Sequence, residues 1–190
     1  MLTPLLVYKG VPGARIERSL AKYPEGALYT VQSNAWMDER VMLLWVEKVL
    51  APYVATAPAG IKPFLLLDEY RCHVMASVVS EIKKIGVEVA HIPGGCTSLA
   101  QPVDVGVNKP LKNRMRDLWE DWLHELDGDN VNKCPSRETV ADWIIRLFQT
   151  IDPMIVKNSW RHAEFSYFPL DIPYPMGNPN REVVKTSARV

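Results

Sequence analysis

Pro63-Phe64-Leu65-Leu66-Leu67-Asp68 is an unbroken apolar run set behind a proline and closed by a carboxylate. A continuous run of this kind, bounded by breakers, fits a strand buried on both faces, as in a parallel sheet. Downstream, Met75, Val78, Val79, Ile82 and Ile85 recur at three-and-four spacing, which predicts a helix over 73–85 stopped by Gly86. Residues 87–92 (Val-Glu-Val-Ala-His-Ile) read as the next strand, ended by Pro93-Gly94-Gly95. Strand, helix and strand over 64–92 predict a parallel pair with a right-handed crossover, and so an α/β domain.

Working towards the N-terminus, 51–62 contains Pro52, Pro58 and Gly60 and reads as a loop. Before it, Met37, Val41, Leu44, Trp45 and Val49 define a helix that Ser33 or Asn34 can cap, running to about Leu50. Residues 4–8 and 27–32 are candidate strands, and the polar, proline-broken stretch 15–25 between them reads as a loop. Towards the C-terminus, Leu111, Met115, Leu118, Trp122 and Leu126 mark the apolar stripe of a long helix. Its start has two solutions: Pro102 in a first turn that includes Asp104, with Pro110 as an interruption, or an Asn108 cap before Pro110. Residues 127–130 are a turn, Ser136 opens a helix with Val140, Trp143, Ile144 and Leu147 inward, and a short helix follows over 153–164. The Pro-rich polar stretch 170–190 reads as a flexible tail.

Composition bounds the function. A chain of 190 residues, 47% of them hydrophobic, can bury a real core. Lys plus Arg and Asp plus Glu both number 22, so any nucleic-acid role must rest on a local basic face. Cys72, Cys96 and Cys134 make an odd set without C-x-x-C spacing, which argues against a disulfide framework and a zinc finger and for reduced thiols. With no long apolar run and no signal-peptide pattern at the start, cytoplasm or nucleus is the expected location.

The chemistry sits at the strand ends. In parallel sheets ligands gather at the carboxyl ends of strands, where Asp68 lies, with Asp104 shortly after the following strand. Two carboxylates there can hold hard divalent cations and leave positions open to water and phosphate. An Asp at a strand end is also a common turn residue, and one in a first helical turn complements the helix dipole.

Three segments carry a resemblance: Pro4-Leu5-Leu6-Val7-Tyr8-Lys9-Gly10, Leu65-Leu66-Leu67-Asp68-Glu69-Tyr70-Arg71-Cys72-His73, and Ile92 to Val107 with its core Thr97-Ser98-Leu99-Ala100-Gln101-Pro102-Val103-Asp104. Together, over roughly 3–126, they resemble the DDE superfamily endonuclease domain of pogo and Tigger-type transposases. The resemblance implies a ribonuclease H-like mixed sheet flanked by helices. It also implies a nuclear location and magnesium- or manganese-dependent cleavage and transfer of DNA strands. Asp68 matches the family's second acid and Asp104 its third, as catalytic and metal-binding residues. The first acid belongs to a strand upstream of the Pro4–Gly10 segment, so the expectation is a partial domain over 1–126 lacking that strand, a helical extension over 127–169 and the tail. Glu17, Glu25 and Asp38 are expected to be ordinary surface acids, and the helix-turn-helix region that precedes the catalytic domain in the family is not expected within these residues.

With two acids the expectation is weak metal binding and little independent cleavage, and exposed sheet edges are expected to call for a second copy or a partner chain. A non-catalytic DNA- or protein-interaction module on the same scaffold is the alternative. Glu69 can supplement the metal site or lie in an exposed turn, and His73 can line the site or bond locally. Lys109, Lys112 and Arg116 form a basic stripe able to contact DNA phosphates, or a solvated helix face. The six tryptophans are assigned to packing, with none in a base-stacking pattern.

Overall fold

β1 (Leu5–Lys9) and β2 (Leu28–Gln32) pair in parallel, Leu5 opposite Leu28 and Lys9 opposite Gln32. β3 (Phe64–Asp68) and β4 (Glu88–Ile92) form a second parallel pair, with Leu67 opposite His91 and Asp68 opposite Ile92. The computed structural model in which they are seen describes residues 2–58, 60–126 and 134–163. The expected α/β class holds, and among the described residues the strands make two two-stranded sheets.

Helices fill the crossovers. Between β1 and β2 lie α1 (Arg15–Ser19) and a 3-10 turn over Leu20–Lys22, where the sequence had read a loop. The cause is Ile16, Leu20 and Tyr23, whose three-and-four spacing lets one face pack on Val31 and Ala141. Between β3 and β4, α4 (Ala76–Lys84) buries Val78 and Ile82 completely. Gly86 just beyond it takes φ +82°, the left-handed stop that glycine adopts without strain. α4 starts three residues later than the stripe predicts, because the chain over 70–73 closes a turn in which His73 N–H donates to the Tyr70 carbonyl. β3 is less enclosed than its composition suggests: Leu67 is buried while Phe64 stays half exposed.

α2 (Glu39–Trp45) is capped by Asp38, whose carboxylate accepts from Val41 N at 2.9 Å, rather than by Ser33 or Asn34. Those two residues lie in a tight turn held by Gln32 Oε1, which accepts from Asn34 N and Trp36 N. α2 continues through a π turn over Val46–Leu50 into α3 (Ala51–Ala55), past the limit at Leu50 that the sequence suggested. Pro52 can neither donate a backbone bond nor tolerate the carbonyl four residues back, and the wide turn before it relieves both. The same device recurs after β4. α5 (Thr97–Ala100) leads to Pro102, a π turn over Val103–Val107, and α6 (Asn108–His124), with Pro110 two residues into α6. Of the two starts the sequence left open, Pro102 with Asp104 inside the helix is the one adopted, and Pro110 does not break it.

Beyond α6, Ser136 caps α7 (Arg137–Thr150) through Thr139 N at 3.0 Å, and Asp152 caps α8 (Pro153–His162) through Met154 N at 2.8 Å. α7 packs on α6, and α8 lies along the π turn that carries Asp104. The expected turn at 127–130, the end of the last helix at 164 and the tail at 170–190 lie outside the described residues.

Two apolar clusters result. One joins α2, its π turn, β3 and α4 through Met42, Val46, Leu50, Leu67, Val78 and Ile82; the other joins the 3-10 turn after α1, β2 and α7 through Leu20, Tyr23, Val31 and Ala141. Full burial of a side chain such as Ile82 stabilises by about 1.5–3 kcal/mol, so the first cluster fixes the strand ends from which the site is built.

Candidate active site

Asp68 ends β3 with most of its side chain shielded, 28% remaining exposed. Its Oδ1 accepts two hydrogen bonds, from Tyr70 N at 3.1 Å and from His73 Nδ1 at 2.7 Å. Both donors come from the turn that leaves the strand, so the carboxylate and the loop fix each other. That loop is pinned from two sides. His91 Nε2, on β4, donates to the His73 carbonyl at 3.1 Å, and Tyr70 Oη donates to the Met37 carbonyl at 3.2 Å in the segment entering α2. The Tyr70 and His73 rings meet edge to face, with centroids 5.5 Å apart. Beneath them Cys72 is buried, and that burial first, then the Asp38 and Asp68 charges, pushes its thiol pKa up. Among the described residues no hydrogen bond engages Asp68 Oδ2.

Glu69 turns away from this cluster. Its Oε2 accepts from Gly94 N at 2.9 Å, so it ties the loop after β3 to the loop after β4. His73, by contrast, touches Asp68 directly. Asp104 is exposed in the π turn, and its Oδ1 accepts from Asn108 Nδ2 one helical turn on. The turn itself is clamped. A Cβ placed on Gly106 would lie 2.6 Å from Ser159 Cβ and 3.0 Å from Ser159 Cα, so α8 crosses there at backbone contact. Ser159 is 1% exposed.

Lys109, Lys112 and Arg116 are all exposed on α6 and, among the described residues, form no ion pair; Arg114 beside them approaches Asp117 at 3.7 Å. Three cations without acidic partners on one helix can receive phosphates. Of the upstream acids, Glu17 accepts from Gly13 N and Asp38 caps α2, both local structural roles, while Glu25 is exposed.

Sequence reasoning missed Asn108, His91, Tyr70 and the Gly106–Ser159 contact. The first was readable, since an amide four residues after an acid on a helix faces it. The Tyr70 Oη bond to Met37, the His91 bond to His73 and the Gly106–Ser159 contact join elements remote in sequence and leave no local signal.

As metal ligands the two acids fit by chemistry and only in part by assembly. Each offers a hard carboxylate oxygen, which suits a small divalent cation that keeps several waters. Among the described residues no three His, Cys, Asp or Glu side chains come together as a cage.

The α/β chain sets one acid, Asp68, at the carboxyl end of a parallel strand, where ligands gather in such sheets, and another, Asp104, in the helix after the next strand. The sequence model of the DDE superfamily endonuclease family matches residues 1–160, and the chain belongs to that family. Its relatives include the mouse and human proteins called "Pogo transposable element with KRAB domain", 28% and 30% identical over an alignment of 172 residues, with 87% of this chain covered. The human "Pogo transposable element with ZNF domain" is 25% identical over 162 residues, 84% of this chain. The chain spans 27% of the length of the first two relatives and 11% of the third. No solved structure matches. The expected pogo-type resemblance is thus borne out. The family as a whole uses divalent metal and acts on DNA. Among the described residues no helix is long and apolar enough to cross a membrane.

Proposed function

We propose that these 190 residues form a transposase-derived DDE endonuclease domain that binds DNA and a divalent cation, magnesium or manganese, in the nucleus. In this reading the two parallel pairs belong to a ribonuclease H-like sheet, and residues 1–126 are its partial catalytic unit. Asp68 and Asp104 act as the family's second and third acids. The observation that carries the reading is Asp68 itself: a family-matched acid at a strand end, with Oδ1 held by two donors and Oδ2 unengaged among the described residues. When bound, the metal supplies charge neutralisation at the scissile phosphate and an activated oxygen nucleophile. The chain's own residues hold the carboxylates in place and, through Lys109, Lys112 and Arg116, receive the phosphate backbone.

Cleavage by the 190-residue chain alone is weak or nil in this reading, because among the described residues no three His, Cys, Asp or Glu side chains come together to hold a metal. That same observation favours a second reading, a non-catalytic DNA-binding module on this scaffold. The experiment is a labelled-duplex assay with magnesium or manganese, run alongside DNA binding at several salt concentrations. Expected are binding whose log K falls by about 0.9 per phosphate contact per log unit of salt, a shallower slope in the Lys112→Ala/Arg116→Ala variant, and no cutting above background. Robust cutting abolished by Asp68→Asn would overturn the claim of impairment. Binding that ignores salt and the two substitutions would overturn the DNA-binding role.

A further inference from the structure

Asp68 Oδ1 is a pure acceptor when ionised, so the ring nitrogen 2.7 Å away must carry the hydrogen: His73 donates from Nδ1. We infer that His73 is a positioning residue that aims Asp68 Oδ2 at the bound cation, an inference that rests on the reading of Asp68 as a metal ligand. One main-chain donor, Tyr70 N at 3.1 Å, leaves the carboxylate free to rotate about its own axis. The second donor on the same oxygen removes that freedom and makes Oδ2 the open ligand atom. The imidazole suits this task because it is itself held. The His73 ring packs edge to face with Tyr70, the His73 backbone carbonyl accepts from His91 Nε2 on the neighbouring strand, and the side chain is only 20% exposed. Neighbours that orient a ligating carboxylate typically influence metal affinity by about 10–100-fold.

The test measures manganese binding to the 190-residue chain by loss of the free-ion paramagnetic resonance signal, with circular dichroism as a check on folding. Four variants are compared with the parent: Asp68→Asn, His73→Leu, His73→Gln and His73→Asn. The Asn amide nitrogen overlays imidazole Nδ1 and preserves the hydrogen bond; Leu removes the donor, and Gln places it one bond too far. Expected are at least about tenfold weaker binding for Leu and Gln, and restoration to within about threefold for Asn. Should Leu fail to fold, Gln carries the comparison. If Leu and Gln bind as the parent does while Asp68→Asn does not bind, the positioning role is overturned and the Asp68 site stands. If Asn is as weak as Leu, the imidazole is required for itself, as a ligand through Nε2, and the positioning role is again overturned. If Asp68→Asn binds like the parent, the metal reading fails and takes the inference with it.

Discussion

Gly106→Ala tests whether the C-terminal helix really fixes the turn that carries Asp104. Two effects oppose each other at this position. Gly106 has no positive φ to protect, so alanine should favour the helical conformation by about 0.8–1 kcal/mol. Against that, the new methyl would sit 2.6 Å from Ser159 Cβ and 3.0 Å from Ser159 Cα, where carbon contacts normally lie at about 3.5–4.0 Å. The obstructing atoms are the root of a buried side chain and its backbone, so no flexible tip can swing aside, and α8 must retreat by nearly an ångström. Overpacking of this kind costs about 1–3 kcal/mol. At the centre of these ranges, about 2 against about 0.9 kcal/mol, the steric effect should win by roughly 1 kcal/mol, lowering the thermal midpoint by about 2–4 °C for a chain of this size. Adding Ser159→Gly removes the nearer of the two contacts, so the double mutant should recover about 1 kcal/mol relative to the sum of the single changes. Thermal and urea denaturation followed by circular dichroism measure both quantities. A Gly106→Ala protein as stable as the parent, or more stable, would show that propensity prevails and that α8 does not seat on the Asp104 turn.

Tyr8 donates to the Arg137 carbonyl at 3.2 Å, and its pKa is pushed up to about 12, first by burial and then by Tyr23, Tyr29 and Glu138. The folded state therefore keeps a proton that the unfolded chain loses at about 10, so this contribution to stability is whole below pH 10 and disappears between pH 10 and about 12. The unfolding midpoint should fall across that window and fall less in Tyr8→Phe; phenolate absorbance showing every tyrosine of the native chain titrating near 10 would refute it. Cys72 is buried with a raised thiol pKa, whereas Cys134 is exposed. A thiol-reactive disulfide reagent at pH 8 should modify Cys134 at once and Cys72 only after denaturant is added, since the thiolate is the reacting form; equal rates in the native protein would contradict the packing around Cys72.

Much of the fold is legible in local sequence, and its departures have local physical causes. The apolar run before Asp68 and the 3.6-residue stripe after it specify the β3–α4–β4 unit, because burial of Leu67, Val78 and Ile82 on one side is what that pattern encodes. The cap of α2 was harder to read. Ser33, Asn34 and Asp38 are all competent caps, and the choice falls on Asp38 because the Gln32 side chain draws Asn34 N and Trp36 N into a turn, with Ala35 at φ +59°. α1 was masked by charges and Pro24, although Ile16, Leu20 and Tyr23 had the spacing. Prolines misled twice. Pro52 and Pro110 read as breakers, yet each follows a π turn that absorbs its missing donor and its ring, so the helix runs through.

At the site, legibility divides by distance along the chain. Each acid is oriented by its own neighbourhood: Asp68 by Tyr70 N and His73, Asp104 by Asn108. Those are relations of two to five residues, which a motif can store. What places each neighbourhood comes from far away: His91 on β4 holds the His73 backbone, and Ser159 on α8 presses on Gly106. No sequence pattern ties Gly106 to Ser159, because their contact depends on how α8 crosses a turn whose width is itself set by Pro110. It follows that the motif Thr97-Ser98-Leu99-Ala100-Gln101-Pro102-Val103-Asp104 encodes the local conformation of Asp104 but not its position. That position is fixed by a close contact made by α8, whose residues lie beyond the resemblance first read over 3–126.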